Sequence, residues 1–280
     1  MSVINTNVAS LNAQNALKTN ERSMSTTMQQ LSTGSRINRA QDDAAGLAIG
    51  QNMTAQTHGL DMAVRNLNDG VNMLQTAEGA MVEQTNMLQR MRELAVQSAS
   101  GTYSNTQRNY LQTEFSALSS QIDKIGSETT WNGMNVLAAT TGGGTTVTGS
   151  YTFQSGKDLG QNITVSIGAM VLSGLALTAG AVSVSSAASA ASTIATIDAA
   201  LDTVNSQRAT IGAVINRLTY AADNVANVSA NTKASRSTIM DTDYATASTQ
   251  LSKNQIVQQA ATAMLAQANQ QPQSVLSLLK

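Results

Sequence analysis

The sequence predicts a mainly α protein of long helices packed along their lengths, on three observations. Apolar residues recur every seven positions over a long stretch, aromatic residues are scarce, and one central region alone abandons the helical texture. Of the 280 residues 41% are apolar but only 3% are aromatic. Ala, Leu, Val, Ile and Met fill seams between helices, whereas Phe and Trp, which supply much of the core area in compact globules, are nearly missing.

The seam starts at Met53 and continues through Leu60, Leu67, Leu74, Met81, Leu88 and Ala95, joined in its second half by Met73, Ala80, Met87 and Leu94. A period of about 3.5 residues keeps one face of a helix turned to a neighbour. A second helix follows Leu111, Phe115, Leu118, Ile122 and Ile125, with spacings of four and three that stop at Gly126. A third follows Ile194, Ile197, Leu201, Val204, Ile211, Ile215, Leu218, Ala222 and Val225, broken only by Arg208. Three such rods require a common core.

Between Glu128 and Asp198 the only charges are the adjacent Lys157 and Asp158, and Gly, Ser and Thr alternate with apolar residues. Here YTFQSG and QNITVSIG predict two short strands around a Lys-Asp-Leu-Gly turn. The GGG at 142–144 marks a loop, and SVSSAASAASTIATI is either the polar entry to the third helix or a flexible linker.

Each end reads as an amphipathic helix with few charges. At the front the stripe is Ile4, Val8, Leu11, Leu17, Met24, Met28 and Leu31; at the back it is Leu251, Ile256, Val257, Ala260, Ala261, Met264, Leu265 and Ala268. Bend-prone segments, STGSRINRAQDD and SANTKASRSTIMDTD, separate these ends from the rods. An apolar stripe backed by Asn, Gln, Ser and Thr in place of Lys and Glu suits a helix surrounded by other protein. The last ten residues, QPQSVLSLLK, crowd Val275, Leu276, Leu278 and Leu279 into a terminus, where water and fraying are the usual expectation.

Composition removes several function classes. A net charge of −1 without clustered basic and aromatic residues argues against a nucleic-acid partner. No run approaches the roughly 18 apolar residues of a spanning helix, so no membrane insertion is expected. The first twenty residues lack both parts of a secretory signal, so export would use a route without cleavage. There is no cysteine, and His58, the one histidine, has no HExxH partner. Asp42 and Asp43 read as helix-start carboxylates, as do Asp241 and Asp243, which share a calcium-loop spacing without the later glycine and glutamate. With no phosphate cradle either, the sequence contains no enzyme signature, and no cofactor or metal is expected.

Several stretches together, in order, carry a family resemblance. They are INTNVASLNAQNAL (4–17), LSTGSRINRAQDDAAGLAI (31–49), RNLNDGVNMLQTAEGAM (65–81), LQRMRELAVQSASGTYS (88–104) and IDKIGSETTWNGMNVL (122–137), then IDAALDTVNSQRATIGAVINRL (197–218) and QIVQQAATAMLAQANQQPQSVLSLL (255–279). The chain resembles the bacterial flagellins, the subunits of the flagellar filament, in a short form with only the domains called D0 and D1. That resemblance implies a long antiparallel helical coiled-coil bundle with a small β-hairpin region and terminal helices paired in a filament core. It places the N-terminal half of D0 at 1–42, D1 at 43–235 and the C-terminal half of D0 at 236–280. Within D1 the helices fall at about 44–100, 105–127 and 190–230 and the hairpin region at about 130–180.

The function implied is a structural subunit, not an enzyme, that is exported unfolded and polymerises through its terminal helices into the filament for swimming motility, secreted and extracellular. The alternatives are a flagellin-like cell-surface adhesin or a hook-filament junction protein. Self-assembly residues would be Ile4, Val8, Leu11, Leu31, Ile256, Leu265, Val275, Leu276 and Leu279, enclosed by sister subunits in a homopolymer. Since isolated helices cannot cover their stripes, both ends are expected to be disordered in the free monomer. Further implied partners are a flagellar secretion chaperone, the filament cap and hook-associated junction proteins, the flagellar type III export apparatus and the host Toll-like receptor for flagellin. In LQRMREL the receptor-recognition residues would be Gln89, Arg90 and Leu94, with Glu114 downstream.

Overall fold

The computed structural model describes residues 6–138, 149–178 and 182–277, with side chains followed as far as Gln270. Among the described residues the helices are α1 (Val8–Thr33), α2 (Ala44–Ala99), α3 (Asn105–Glu128), α4 (Ala187–Met240) and α5 (Tyr244–Ser277). Between α3 and α4 lie four short strands, β1 (Thr130–Trp131), β2 (Met134–Asn135), β3 (Gly149–Gln154) and β4 (Asn162–Ile167). The chain divides into two compact units, one formed by His58–Ser229 and the other by Met1–Thr57 with Ala230–Lys280. The GGG loop at 142–144 lies outside the described residues.

In the His58–Ser229 unit three rods run antiparallel. Arg90 of α2 bonds Glu114 of α3 while Gln84 reaches the Ile122 carbonyl, so the two helices descend in opposite directions. Likewise Arg92 meets Asp198, and Ser229 donates to Asp61, which sets α4 against α2. The heptad seam explains the packing: Leu67, Leu74, Met81 and Leu88 are fully buried and face Phe115 and Ile122 of α3 and Ile197, Val204, Ile211 and Leu218 of α4. Arg208, the polar break in the α4 stripe, stays half-buried with Nη2 4.0 Å from Glu78.

Local chemistry fixes the rod ends. Ser104 and Gln107 form a reciprocal capping box that starts α3. Arg108, itself buried, donates to the carbonyls of Ser98 and Ser100, each at 2.8 Å, covering acceptors that the end of α2 leaves unpaired. The stretch SVSSAASAAS is the entry to α4: Ser186 and Ser189 exchange backbone and hydroxyl bonds just where the helix begins.

Both strand pairs are antiparallel hairpins. In the first, Asn132 and Gly133 take φ of 49° and 77°, the left-handed pair that a two-residue turn requires. In the second, Gly149 pairs with Ile167 and Gln154 with Asn162, around the Lys-Asp-Leu-Gly turn. Tyr151 donates to the Asn135 carbonyl at 2.7 Å, tying the hairpins together, and burial pushes its phenol up, so it stays a donor.

The apolar spacing of the second rod stops at Gly126, but the helix does not. It continues to Glu128, and Gly126 has another purpose: a side chain there would overlap the Met170 carbonyl oxygen. Glycine lets the helix touch the segment after β4, where Gln84 also donates to Met170 O at 2.7 Å.

In the unit of the two ends, Gly34 closes α1 with φ of 70°. Ser35 pairs with Asp241 as an antiparallel bridge, Arg36 N donates to Met240 O at 2.6 Å, and Thr242 N donates to Gly34 O at 2.9 Å. The two bend-prone segments are thus hydrogen-bonded to each other. Asp43 accepts from Gly46 N at 2.8 Å and so caps the start of α2, whereas Asp42 accepts from Asn38 N and Arg39 N and closes the turn before it.

Gly126→Ala is expected to destabilise the rod unit by about 1–3 kcal/mol, because the methyl meets backbone that cannot rotate away. Gly79→Ala, where nothing lies within 4 Å, should instead be neutral or stabilising by up to about 1 kcal/mol. Thermal unfolding of both variants checks the pair, and equal melting temperatures would contradict the close-approach account.

Candidate functional site

The site is the pair of helices made from the chain's two ends. Asn7 Nδ2 donates to Ala268 O at 2.7 Å, and Asn20 Nδ2 donates to Asn254 O at 2.9 Å, so α1 and α5 run antiparallel over most of their lengths. Over their described residues each of these helices has the other for a partner.

The least exposed positions alternate three and four apart, from Ser10 to Leu31 on α1 and from Ala247 to Ala268 on α5. That is a coiled-coil seam. Its buried members on α1 are Ser10, Asn20 and Thr27, and on α5 Ala247 and Asn254; the larger Leu17, Met24, Leu31, Leu251 and Leu265 are only half-buried. Asn254 accepts from Gln250 Nε2 at 3.1 Å, while its own Nδ2 is buried without an acceptor. An orphaned amide of this kind costs about 1–3 kcal/mol. The inner face of the pair is thus mixed, with its most deeply buried positions small or polar.

The outer face is the reverse. Val8 is 57% exposed, Leu11 56%, Met28 56%, Ile256 67% and Met264 66%, and Val257 is also exposed. Of the predicted assembly residues, Val8, Leu11 and Ile256 lie on this open surface and Leu31 and Leu265 in the seam. Ile4 and the side chains of Val275, Leu276 and Leu279 lie outside the described residues. Sequence periodicity merged two faces into one stripe; the signal that separates them is the placement of Asn20 and Asn254.

A second predicted surface lies on the rods. Arg90 donates through Nε to Glu114 and through Nη1 to Glu93, each at 2.9 Å, and the bond to Glu114 chiefly raises its already high pKa. Gln89, Arg90 and Glu114 are exposed along α2 and α3. Leu94 is not with them: at 1% exposure it belongs to the core, because the heptad that presents Gln89 and Arg90 turns position 94 inward. Gln89 instead adjoins an open groove of about 500 Å³ with Arg92, Glu93, Val96 and Gln97. Among the described residues no three His, Asp or Glu side chains converge as metal ligands, and no helix is long and apolar enough to cross a membrane.

The family model for the bacterial flagellin N-terminal helical region matches residues 4–142, and that for the bacterial flagellin C-terminal helical region matches residues 194–279. The flagellar filament 30.7 kDa core protein of Treponema maltophilum is 41% identical, with 99% of each chain covered. The chain belongs to the bacterial flagellins. Flagellin FlaB1 of Treponema pallidum is 39% identical to this flagellin over 99% of the chain and all of the relative. Flagellin B of Vibrio cholerae is 34% identical, again with 99% of each covered, but the alignment runs over 378 positions. This flagellin is the shorter form, lacking residues that the Vibrio relative carries. The crystal structure of Bacillus cereus flagellin matches 57% of this chain and 88% of its own, at 31% identity and a TM-score of 0.49.

The carboxylate that opens α5 titrates. Asp243 accepts from Thr246 Oγ1 at 2.8 Å, Ala245 N at 2.9 Å and Thr246 N at 3.4 Å, and these bonds, the hydroxyl first, hold its pKa below the usual carboxylate range. A pKa lowered on folding stabilises above the unfolded value and loses that contribution as pH falls through the folded one. Protection of the Ala245 and Thr246 amides against hydrogen exchange is therefore expected to fall on acidification in the native chain. In Asp243→Asn it should be nearly constant with pH. Identical pH profiles for the two would contradict the capping assignment.

Proposed function

We propose that this flagellin is the structural subunit of a bacterial flagellar filament serving swimming motility, and that the polymer covers the apolar face its paired ends leave open. The observation that carries this reading is the exposure of Val8, Leu11, Met28, Ile256, Val257 and Met264 on helices whose shared seam leaves them uncovered. A large aliphatic side chain contributes roughly 1.5–3 kcal/mol on full burial. Enclosing six partly exposed ones adds, on the order of magnitude, several kcal/mol per subunit, repeated along the fibre. Because α1 and α5 present unlike faces, the contact is heterologous and repeats without closing. Ile4, Val275, Leu276 and Leu279 are proposed as further assembly residues from their apolar character in the sequence alone.

The chain's route and further partners follow from the same chemistry. One proline, no cysteine and a weak terminal seam permit unfolded passage through the type III export apparatus. A secretion chaperone would hold residues 255–279 until then, shielding their apolar side chains from aggregation, and the filament cap and junction proteins would meet the same terminal surface. On the rods, Gln89, Arg90 and Glu114 offer the host Toll-like receptor a fixed polar patch, with Leu94 supporting it from within.

Leu11→Asp combined with Ile256→Asp is expected to abolish elongation from filament seeds while leaving rod helicity and melting unchanged, as followed by electron microscopy and circular dichroism. Long filaments from that variant would overturn the proposed surface. Arg90→Ala should lower signalling in receptor-bearing cells at least several-fold with no loss of helix content, since its ion pairs are exposed and contribute little to folding. Undiminished signalling would remove Arg90 from the receptor patch.

A further inference from the structure

The rod unit carries a negative charge that nothing beside it answers. An open cleft of about 710 Å³ lies between α2 and the two hairpins, lined by Asn66 and Asp69 of α2, Trp131 and Asn132 of the first hairpin and Phe153 and Gln154 of the second. Its aromatic wall is set by a glycine. A Cβ at Gly70 would stand 2.9, 3.0 and 3.1 Å from Cδ1, Cε1 and Cγ of Phe153, near-equal distances that lay the ring flat on the helix. Among the described residues the side chains of Asp69, Asn66 and Asn132 make no hydrogen bond or ion pair. Gln154 spends its amide hydrogens on the carbonyls of Gly156 and Asp158, which leaves its oxygen free.

The cleft therefore combines unused acceptors, a full negative charge and an indole. A guanidinium is their complement: planar, cationic, with five N–H donors and no acceptor, and disposed to stack on an aromatic face. We propose that this cleft is a guanidinium socket, filled by Arg217 of a second copy of the chain. Charge accounting within the rod unit selects that occupant. Arg90 and Arg92 are ion-paired, Arg208 faces Glu78, Lys157 holds Asp158, and Arg108 is spent on carbonyls. Arg65, Lys124 and Arg217 remain, all exposed. Lys124 lacks the planar fork. Arg65 stands one turn before Asp69 on the same helix, in the weaker order for an ion pair, and forms none with it. A second copy offering its Arg65 would bring the two clefts face to face, a self-matching contact that closes as a dimer. Arg217 belongs to α4, outside the lining of the cleft, and has no acidic residue within four positions of it. Its contact joins unlike surfaces and repeats without closing, as the filament reading on which this inference rests requires. It adds a rod-to-rod contact to the one made by the ends.

Trp131 is the only tryptophan of the chain, so its fluorescence reports the cleft alone. The full-length chain, kept monomeric by dilution, is titrated at fixed ionic strength with methylguanidinium, methylammonium and glucose. Methylguanidinium is expected to change the emission saturably, with methylammonium binding at least about threefold more weakly and glucose giving no response. Asp69→Asn should weaken methylguanidinium binding at least about fivefold, because the charge goes and the shape stays. No saturable change, an unaltered response in Asp69→Asn, or a response to glucose in place of the cation overturns the socket. Seeded elongation tests the occupant. Asp69→Arg and Arg217→Asp should each slow growth at least about tenfold, since each sets like charges together. Combined, they should return it to within about threefold of the native rate, with native helix content by circular dichroism in all three variants. Single variants that grow as fast as the native chain, or a double variant no faster than the slower single one, overturn Arg217 as the occupant. Failure of the native chain to elongate seeds would count against the filament reading, while the Trp131 titration still decided the socket.

Discussion

In the bundle of α2, α3 and α4, the large aliphatic side chains face inward: Leu67, Leu74, Leu88 and Leu218 have no exposed surface. In the α1–α5 pair they divide between two faces. Leu17, Met24, Leu31, Leu251 and Leu265 share the seam with Ser10, Asn20, Thr27 and Asn254, while Leu11, Ile256 and Met264 face water. Apolar area removed from water is the dominant favourable term in folding and in association alike. The bundle has already collected that term, whereas the pair holds much of it in reserve.

Polar groups carry the specificity that burial cannot. Nearly every long-range hydrogen bond here fixes an alignment: Gln84 locates α3 and the segment after β4 against α2, Arg108 closes the α2–α3 turn, and the Ser35–Asp241 bridge joins the two bends. The exposed ion pairs of Arg90 and Arg92 add little stability. They do hold charged groups in a fixed pattern on the rod surface, which is the useful property for recognition by another protein.

Much of the rod unit was legible in the residues. A seven-residue repeat from Leu60 to Ala95 has one stable interpretation, and Phe115, Ile122, Ile197 and Leu218 lie buried where their spacing predicts. The Lys-Asp-Leu-Gly turn between two alternating segments was equally readable as a hairpin. Gly126 ends the apolar spacing of α3 without ending the helix: a glycine near a helix end has two physical uses, termination and close approach, and only the location of Met170 distinguishes them. Leu94 was misassigned because a motif lists neighbours in sequence, whereas exposure follows the turn of the helix.

The sequence by itself determined which segments are helical, that they pack along their lengths, and that the ends are too apolar and too weakly charged to stand in water uncovered. Those properties are local, set by period, propensity and composition. Only the tertiary structure decided which face of each end turns inward. The choice is collective: it depends on contacts such as the bond from Asn20 Nδ2 to the main-chain carbonyl of Asn254, with Val8, Leu11 and Ile256 lying outside. Pairing energies of that kind depend on two residues 234 positions apart, and no window along the chain contains them both.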